Sequence, residues 1–481
     1  MPASINILFL AAEATPFVKV GGLADVAGSL PLALRNLSYE DGKGAKLDVR
    51  LVLPLHRVNR AESATMLPVA TTTVYRRGGS LQAEIYETSL DGMPVYFISG
   101  GPILNATEVY SSNPAYDREK YAFFSLAALE MLRKLDWQVD ILHANDWHTA
   151  LALYALRSRR SDPVLARIRS VLTLHNLPYM GGDGTDVLNA YGLMPLNDSA
   201  LPTWAQTQPL PLGLWAADAI VPVSPTYARE ILTPQFGCGL ETYLRNRAES
   251  VTGILNGLNL TAFDPTTDKA LAAQFDADTL ERRAANKEAL QSRVGLPVNA
   301  SVPLLAMVGR IDQQKGVDIA MRALSRFQDH SWQFILLGTG DPILEKEASN
   351  LQAAFPDRVQ VALRYDDSMA RLIYGGADMF LMPSRYEPCG LAQMIAMRYG
   401  CVPVVHATGG LKDTVQEGKS GFLFHQPTPE SLLEALDRAL NVFRNRSKWQ
   451  RFQRNGMAEN FGWERSARQY ALLYRSLIGS A

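Results

Sequence analysis

Short apolar runs alternate with helix-length amphipathic segments along most of the chain. In the first half, apolar runs predict β-strands at 5–11, 47–53, 93–98, 141–143, 170–174 and 219–223, and leucine and alanine recur at helical spacing over 22–37 and 122–135. In the second half, strands are predicted at 303–308, 333–337, 359–362, 379–382 and 402–406, separated by helix-length segments. Such alternation predicts parallel sheets with helices on both faces. The pattern therefore indicates an α/β chain with two doubly wound, Rossmann-like domains.

Length and turn chemistry set the domain organisation. A chain of 481 residues is too long for one ordinary core, and 47% hydrophobic with 20% charged residues is typical of a globular protein. Asn256-Gly257 and Asp264-Pro265 favour a domain boundary within 253–265. We therefore expect an N-terminal domain over 1–253, a C-terminal domain over 254–456, and a final helical segment over 457–481 that packs back on the first domain.

Charge, hydropathy and cysteine usage exclude several classes of protein. The formal net charge of −1 gives no field that would favour nucleic acid or an anionic membrane, and no apolar run reaches 18 residues. The three cysteines, Cys238, Cys389 and Cys401, are too scattered to predict a disulfide framework. We expect a cytoplasmic protein (a plastid one only if a transit peptide has been removed) that binds neither nucleic acid nor membrane. The oligomeric state does not follow from the sequence.

A glycine pair follows the first predicted strand. Gly21 and Gly22 lie before an amphipathic helix, flanked by Lys19 and by Asp25 in the first helical turn. Glycine allows close backbone approach, and a helix start favours anions, so this loop suits a phosphorylated, hydroxyl-rich ligand. A plain tight turn is the alternative interpretation.

Charged side chains follow two strands of the second half. Arg310 and Lys315 lie five residues apart in a strand-to-helix loop, where a guanidinium and an ammonium converge on one anion, such as a departing diphosphate. Glu387 lies between a strand end and Pro388, where its carboxylate is placed to accept hydrogen bonds from sugar hydroxyls. Two solvated surface cations and a helix-capping glutamate are the alternatives that the local patterns leave open.

Histidines cluster at two predicted strand ends. The segment 143–148 contains His143, Asp146 and His148, and His175 directly follows another strand. No further cluster has metal-ligand spacing, so we expect structural or sugar-contacting roles and no metal. His175 is the strongest functional candidate of this group.

Taken together, these motifs resemble the bacterial glycogen synthase and plant starch synthase family. The matching blocks are AAEATPFVKVGGLADV, HANDWH, LTLHN, VSPTYAREILTPQFG, GILNGLN, GRIDQQKG, RYEPCGL and ATGGLKDTV, and they span nearly the whole chain. The resemblance implies a GT-B fold, in which the two domains face each other across a cleft. It implies transfer of glucose from ADP-glucose, or UDP-glucose, to the 4-hydroxyl of an α-1,4-glucan, with retention of configuration and without metal or other cofactor.

The resemblance also implies residue roles. Arg310 and Lys315 match the pair that binds the diphosphate and assists its departure, and Glu387 matches the carboxylate that holds the donor glucose. The other matches are Lys19, Gly21 and Gly22 near the diphosphate and acceptor, Asp25 and His175 near the transferred glucose, Cys389, Gly390 and Leu391 beside Glu387, Gly409 and Gly410 in a second anion-binding loop, Tyr365 at the nucleotide base, and Asn256 near the acceptor.

The chain departs from the family pattern between residues 179 and 216. A Phe-Pro pair and a Lys-Gly-Gly-like stretch are expected there, and Pro211-Leu212-Gly213 stands in place of the latter. Ala392 also replaces a common threonine, and Ile395 stands where many relatives outside this branch carry a second glutamate. Three hypotheses follow: glucan elongation, a GT-B glucosyltransferase with another acceptor or a UDP-glucose donor, and a weakly active glucan-binding paralogue.

Overall fold

Two compact units make up the chain. The computed structural model describes residues 4–37, 46–57, 67–328 and 330–479. Unit 1 comprises Met1–Gly257 and Trp463–Ala481, and unit 2 comprises Leu258–Gly462. The boundaries expected from the sequence, after residues 253 and 456, lie within a few residues of these.

Unit 1 is built on an eight-stranded mixed sheet in the order β3-β4-β5-β2-β1-β6-β7-β8. Its strands are β1 Ser4–Leu10, β2 Lys46–Pro54, β3 Pro68–Arg76, β4 Gly79–Leu90, β5 Met93–Gly100, β6 Ile141–Asn145, β7 Arg169–Leu174 and β8 Ala219–Pro222. The six strands from β5 to β8 in this order pair in parallel, as their near-continuous apolar runs predict. The antiparallel hairpin of β3 and β4 was not predicted, and along it buried or partly buried side chains alternate with exposed ones.

The helices of unit 1 cover both faces of that sheet. They are α1 Gly22–Arg35, α2 Pro114–Met131, α3 Asp146–Ser158, α4 Thr185–Ala190, α5 Pro209–Ala216, α6 Pro225–Glu230, α7 Glu241–Asn246 and, from the end of the chain, α16 Trp463–Gly479. The predicted helix over 122–135 was placed too late, because the Asn113 side chain accepts from the amides of Ala115 and Tyr116 and caps the helix there. Trp463, Tyr470 and Tyr474 of α16 belong to the same buried core as β1 and α1.

Unit 2 contains a six-stranded, wholly parallel sheet in the order β11-β10-β9-β12-β13-β14. Its strands are β9 Leu304–Val308, β10 Gln333–Gly338, β11 Val359–Leu363, β12 Met379–Met382, β13 Val402–His406 and β14 Phe422–Phe424. Its helices are α8 Arg283–Val294, α9 Val317–Arg326, α10 Pro342–Ala354, α11 Asp367–Gly376, α12 Ala392–Arg398, α13 Gly409–Thr414, α14 Pro429–Phe443 and α15 Arg446–Ala458. The final helix expected within 457–481 is α16, which begins only at Trp463 because α15 extends to Ala458.

The α/β prediction with two doubly wound sheets is confirmed. Among the parallel strands of each unit the strand order reverses direction at one point, between β1 and β6 in unit 1 and between β9 and β12 in unit 2. Ligands of open α/β sheets bind at the carboxyl ends of the strands beside that reversal. No helix within the described residues is long and apolar enough to cross a membrane.

Candidate active site

In unit 2 the candidate residues come from three neighbouring strands. The loops that carry Arg310 and Lys315, Glu387, and Gly409 follow β9, β12 and β13, which are adjacent in the sheet. Parallel strands end at the same edge, so these loops lie side by side at the strand-order reversal.

Lys315 and Glu387 form an ion pair in this edge. The Lys315 ammonium donates to both carboxylate oxygens of Glu387, at 2.9 and 2.7 Å, and the Ser384 hydroxyl donates to one of them at 3.1 Å. Glu387 is only 4% exposed. A buried carboxylate with an ammonium and a hydroxyl donor has a fixed orientation, and the next helix, α12, begins only at Ala392.

Arg310 is connected to the same loop through a glutamine. Its guanidinium donates to Gln314 Oε1 at 3.1 Å and lies 2.8 Å from Asp312, while the Gln314 amide donates to the backbone oxygen of Tyr386 at 3.5 Å. The Arg310 side chain remains 56% exposed. Its fork of donors is therefore partly available to an anion arriving from solvent.

Glycines bring the two loops after β12 and β13 into close contact. The Gly410 amide donates to the Glu387 backbone oxygen at 3.0 Å, and a Cβ on Gly410 would lie 2.1 Å from the Cys389 oxygen. Gly390 and Gly409 have φ of +74° and +44°, which favours glycine. Leu391 precedes α12, and the Gln393 amide in that helix donates to the oxygens of Cys389 and Gly390 at 3.2 and 2.8 Å.

Tyr365 occupies a different part of unit 2. It follows β11, the edge strand, which is separated from β9 by β10, and its side chain is 78% exposed. The structure therefore brings together the residues around Glu387, and it places Tyr365 two strands away from the β9 loop.

In unit 1 the glycine-rich loop is organised by a buried carboxylate. Glu13, which is 1% exposed, accepts from the amides of Val20 at 2.5 Å and Gly21 at 3.0 Å, and from the Tyr110 hydroxyl at 3.0 Å. The Gly21 amide thus has an acceptor within the protein. Burial raises the pKa of Glu13, and the hydrogen bonds from Gly21 and Val20 oppose this shift.

Lys19 and Asp25 pair at the rim of this loop. The Lys19 ammonium donates to Asp25 at 2.9 Å, and both side chains are partly exposed, at 37% and 27%. Helix α1 begins at Gly22, directly after the loop. The predicted loop-to-helix geometry is therefore present.

His175 is held by the junction of β6 and α3. The Asp146 carboxylate accepts the His175 amide at 2.7 Å, and His175 Nε2 lies 2.9 Å from Asn145 Oδ1. Because the Asn145 amide nitrogen donates to the Leu10 oxygen at 2.8 Å, its oxygen faces the ring, and Nε2 carries the proton. Burial lowers the pKa of His175 to about 3, so the imidazole is neutral and Nδ1 is an acceptor.

Asp146 is an unusual carboxylate. Its φ is +53°, rare for a residue with a side chain, and burial raises its pKa to about 7, against the lowering effect of the amides of His175 and Asn176. Asn256, at the end of unit 1, is 5% exposed, and its Oδ1 has no hydrogen-bond partner among the described residues.

No group of three or more His, Cys, Asp or Glu side chains within the described ranges is arranged to hold a metal ion. His143, the first histidine of the possible metal motif, instead bonds Tyr474 at 2.6 Å and Thr173 at 2.7 Å inside the core. His143 is therefore structural.

The supporting residues of the site do not follow from the sequence pattern. Glu13 bonds the Tyr110 hydroxyl, and Asn145 bonds His175 and the Leu10 oxygen, all of them far along the chain and not visible in a local pattern. Gln393 bonds Cys389 and Gly390 within its own segment, but its type gives no sign of a site. One signal was available, because a charged residue immediately after a buried strand must find a partner at the strand end, and Glu13 is such a residue.

Two protein-family models match the chain. The family "Starch synthase catalytic domain" matches residues 6–246, and "Glycosyl transferases group 1" matches residues 291–456. The chain is 39% identical to a glycogen synthase of Syntrophotalea carbinolica and 41% identical to one of Gloeobacter violaceus, in both cases over 98% of this chain and 99% of the relative.

Solved structures give the same result for the fold. The catalytic domain of starch synthase IV from Arabidopsis thaliana, bound to ADP and acarbose, has a TM-score of 0.88 at 31% identity, over 99% of this chain and 100% of that one. A sucrose-phosphate synthase from Thermosynechococcus elongatus, at 20% identity and a TM-score of 0.62 over 99% of this chain and 100% of that one, shares the fold. The GT-B fold class is thereby confirmed.

Proposed function

The chain belongs to the bacterial glycogen synthase and starch synthase family of glycosyltransferases, and we propose that it elongates an α-1,4-glucan with glucose from ADP-glucose. One structural observation supports this proposal in addition to membership of the family. In unit 2 a buried carboxylate, Glu387, is paired with Lys315 at the strand ends where Arg310 also lies. A nucleotide sugar presents hydroxyls to such a carboxylate and a diphosphate to such cations.

We assign the donor residues to unit 2. Glu387 accepts hydrogen bonds from the donor glucose, Arg310 and Lys315 neutralise the diphosphate, and the backbone around Cys389, Gly390, Leu391, Gly409 and Gly410 approaches both. Tyr365 contacts the nucleotide base. The choice of ADP-glucose over UDP-glucose is supported by the ADP bound to the starch synthase IV structure.

The residues of unit 1 serve the transferred glucose and the acceptor. His175, neutral with Nδ1 free of a proton, accepts a hydrogen bond from a sugar hydroxyl, and Lys19 and Asp25 contact the ligand at the rim of the loop ordered by Glu13. Asn256 offers its unpartnered Oδ1 to the acceptor.

The chemistry is a retaining transfer without metal or other cofactor. The bond between glucose C1 and the diphosphate oxygen breaks while the acceptor O4 attacks from the same face, and the proton of that hydroxyl passes to the departing oxygen. Negative charge grows on the leaving group as this bond breaks, and Arg310 and Lys315 stabilise it.

The test is transfer of radiolabelled glucose from ADP-glucose and, separately, from UDP-glucose, with glycogen, with a small sugar, or with neither. We expect incorporation into glycogen with release of ADP, and faster turnover with ADP-glucose. Labelling of a small sugar alone would identify a different acceptor. Binding of glycogen with no turnover of either donor would indicate a glucan-binding paralogue.

A further inference from the structure

An exposed tryptophan lies in the segment where the chain departs from its family. Trp204 belongs to the short 3₁₀ turn Thr203–Ala205 of unit 1, and its side chain is 44% exposed while Ala205 is fully buried. From residue 199 to residue 217 the sequence contains no charged side chain. A large aromatic surface is thus presented by a neutral, amide- and hydroxyl-bearing segment.

This segment is built directly on the start of α3, at the β6–α3 junction that holds His175. Trp147 follows Asp146, and a Cβ placed on Gly181 would lie 2.8 Å from the Trp147 ring and 2.9 Å from Pro209. The Leu210 amide donates to the Met180 oxygen at 3.1 Å. Residues 180–184 and 207–210 therefore pack as one layer against the residue next to Asp146.

The Trp204 ring packs against Gly239, and hydrogen bonds to the backbone fix the turn that carries it. A Cβ on Gly239 would lie 3.1 Å from the indole, so the glycine, with φ of +82°, lets the ring lie against the backbone. The Gln208 side chain donates to the Trp204 backbone oxygen at 3.4 Å, and the Ala205 amide donates to Pro202 at 2.9 Å. Residues 231–240, which include Gly239, are also uncharged.

We propose that Trp204 is an acceptor subsite on which a glucose ring of the α-glucan stacks, away from the reacting end. The inference rests on the proposed function. The apolar C–H face of a sugar packs on an indole, and its hydroxyls find partners among Thr203, Thr207 and Gln208. The two segments beside the ring carry no charged side chain, and the nearby carboxylate of Asp183, which accepts from the Thr207 hydroxyl at 2.8 Å, disfavours a polyanion, so the surface favours an uncharged polymer over nucleic acid.

Kinetics with long and short acceptors test the subsite. We expect Trp204→Ala to raise KM for glycogen about fivefold, because one aromatic contact is lost. KM for maltose and KM for the donor stay within about twofold of the wild-type values. Trp204→Phe restores most of the affinity, because it keeps an aromatic face. The matched control is Tyr75→Ala, which removes a 76% exposed aromatic from edge strand β3 and leaves every constant unchanged.

Affinity electrophoresis in a glycogen-containing gel supplies a readout that needs no turnover. Wild-type protein and Trp204→Phe are retarded, and Trp204→Ala migrates faster. If Trp204→Ala is retarded as strongly as the wild-type protein and keeps the wild-type KM for glycogen, the subsite is overturned. A change of oligomeric state in Trp204→Ala would also overturn it, because the surface would then belong to a contact with a second copy of the chain. Absence of any polymer labelling by the wild-type protein would overturn the proposed function, while the gel still reports on Trp204.

Discussion

The Lys315 ammonium faces both oxygens of Glu387, although the two residues are 72 positions apart in the sequence. Each had been identified from its own loop, and neither loop pattern contains the other. The pair forms because β9 and β12 are adjacent strands at the reversal of strand order. The types of these two residues and their positions at strand ends were predictable from the sequence, whereas the ion pair between them depends on the order of the strands in the sheet.

Replacement of Lys315 separates leaving-group stabilisation from donor binding. Lys315→Ala lowers kcat about 10²- to 10³-fold, because it removes a preorganised cation from the developing charge. The Kd for ADP rises less than about tenfold, because charge on the leaving group is greatest in the transition state. The measurements are kcat at saturating donor and ADP titration by calorimetry.

The control for Lys315 is a lysine on an exposed helix position. Lys346→Ala in α10 leaves kcat and the Kd for ADP unchanged. Equal losses of turnover and of ADP affinity in Lys315→Ala would show that the cation binds ground state and transition state alike.

Supporting residues mark the limit of prediction from sequence at the residue scale. Lys19, Gly21 and Asp25 were identified from the glycine-rich pattern, but Glu13, which accepts two amides of that loop, was not. The sequence places Asp146 only in a histidine-containing motif, and its contact with the His175 amide depends on β6 and β7 being neighbours. Hydrogen-bond partners between strand ends follow from sheet order, which no single segment contains.

Helix α13 contacts the loop after β12, and this contact between two elements depends on two glycines. A Cβ on Gly409 would lie 1.8 Å from the Glu387 oxygen, and one on Gly410 would lie 2.1 Å from the Cys389 oxygen. Helix α13 can therefore begin at this distance only without side chains at these positions.

Gly410→Ala tests that close approach. The added methyl forces the two loops apart, and we expect a stability loss of about 1–3 kcal/mol together with a fall in kcat/KM for the donor. Urea unfolding and steady-state kinetics measure both effects. Gly479→Ala, at a helical glycine with open space around it, leaves stability and activity intact. A Gly410→Ala variant with wild-type donor kinetics would show that the donor does not depend on this contact.

The terminal helix α16 is joined to the sheet of unit 1 by a buried polar network. His143 in β6 bonds the Tyr474 hydroxyl at 2.6 Å and Thr173 of β7 at 2.7 Å, and Thr173 bonds the Tyr470 hydroxyl at 3.1 Å. The aromatic residues predicted that this segment needs a partner surface. The hydrogen bonds were not predictable, because they join residues about 300 positions apart.

Removing one hydroxyl from this network measures its contribution. Tyr474→Phe leaves a buried imidazole nitrogen without a partner, which costs about 1–3 kcal/mol. The effect appears in the urea midpoint of unit 1. Tyr75→Phe, at an exposed edge position, changes stability by less than about 0.5 kcal/mol. If both variants unfold like the wild-type protein, the bond to His143 adds nothing to the attachment of α16.

At the scale of the whole molecule, the buried histidines are unevenly distributed. His56 and His143, both fully buried in unit 1, have pKa values lowered to about 3 by burial, and burial also lowers the pKa of His148. In unit 2, burial lowers the pKa of His406. Unit 1 therefore holds more neutral imidazoles that must take up protons on unfolding in acid.

This distribution predicts that unit 1 loses stability first on acidification. A histidine with a lowered folded pKa contributes stability that is complete above pH 6.5 and is lost as the pH falls toward 3, by about 2 kcal/mol for each of His56 and His143 at pH 5. Asp146 acts in the opposite direction, because its raised pKa of about 7 favours the fold as the pH falls from 7 toward 4. Glu13, whose pKa burial also raises, acts in the same direction as Asp146. The four histidines of unit 1 with lowered pKa values outnumber these two carboxyls, so the net effect is destabilising.

Urea unfolding at pH 7 and pH 5, followed by hydrogen exchange of peptides from each unit, measures the difference. Peptides of unit 1 lose protection at lower urea at pH 5, while those of unit 2 change less. His56→Leu is the informative variant, because neither ring nitrogen of His56 has a hydrogen-bond partner among the described residues, and its replacement leaves no donor or acceptor stranded. The variant is expected to lose less stability between pH 7 and pH 5 than the wild-type protein. Earlier opening of unit 2, or an unchanged pH dependence in His56→Leu, would contradict the assignment of acid sensitivity to the buried histidines of unit 1.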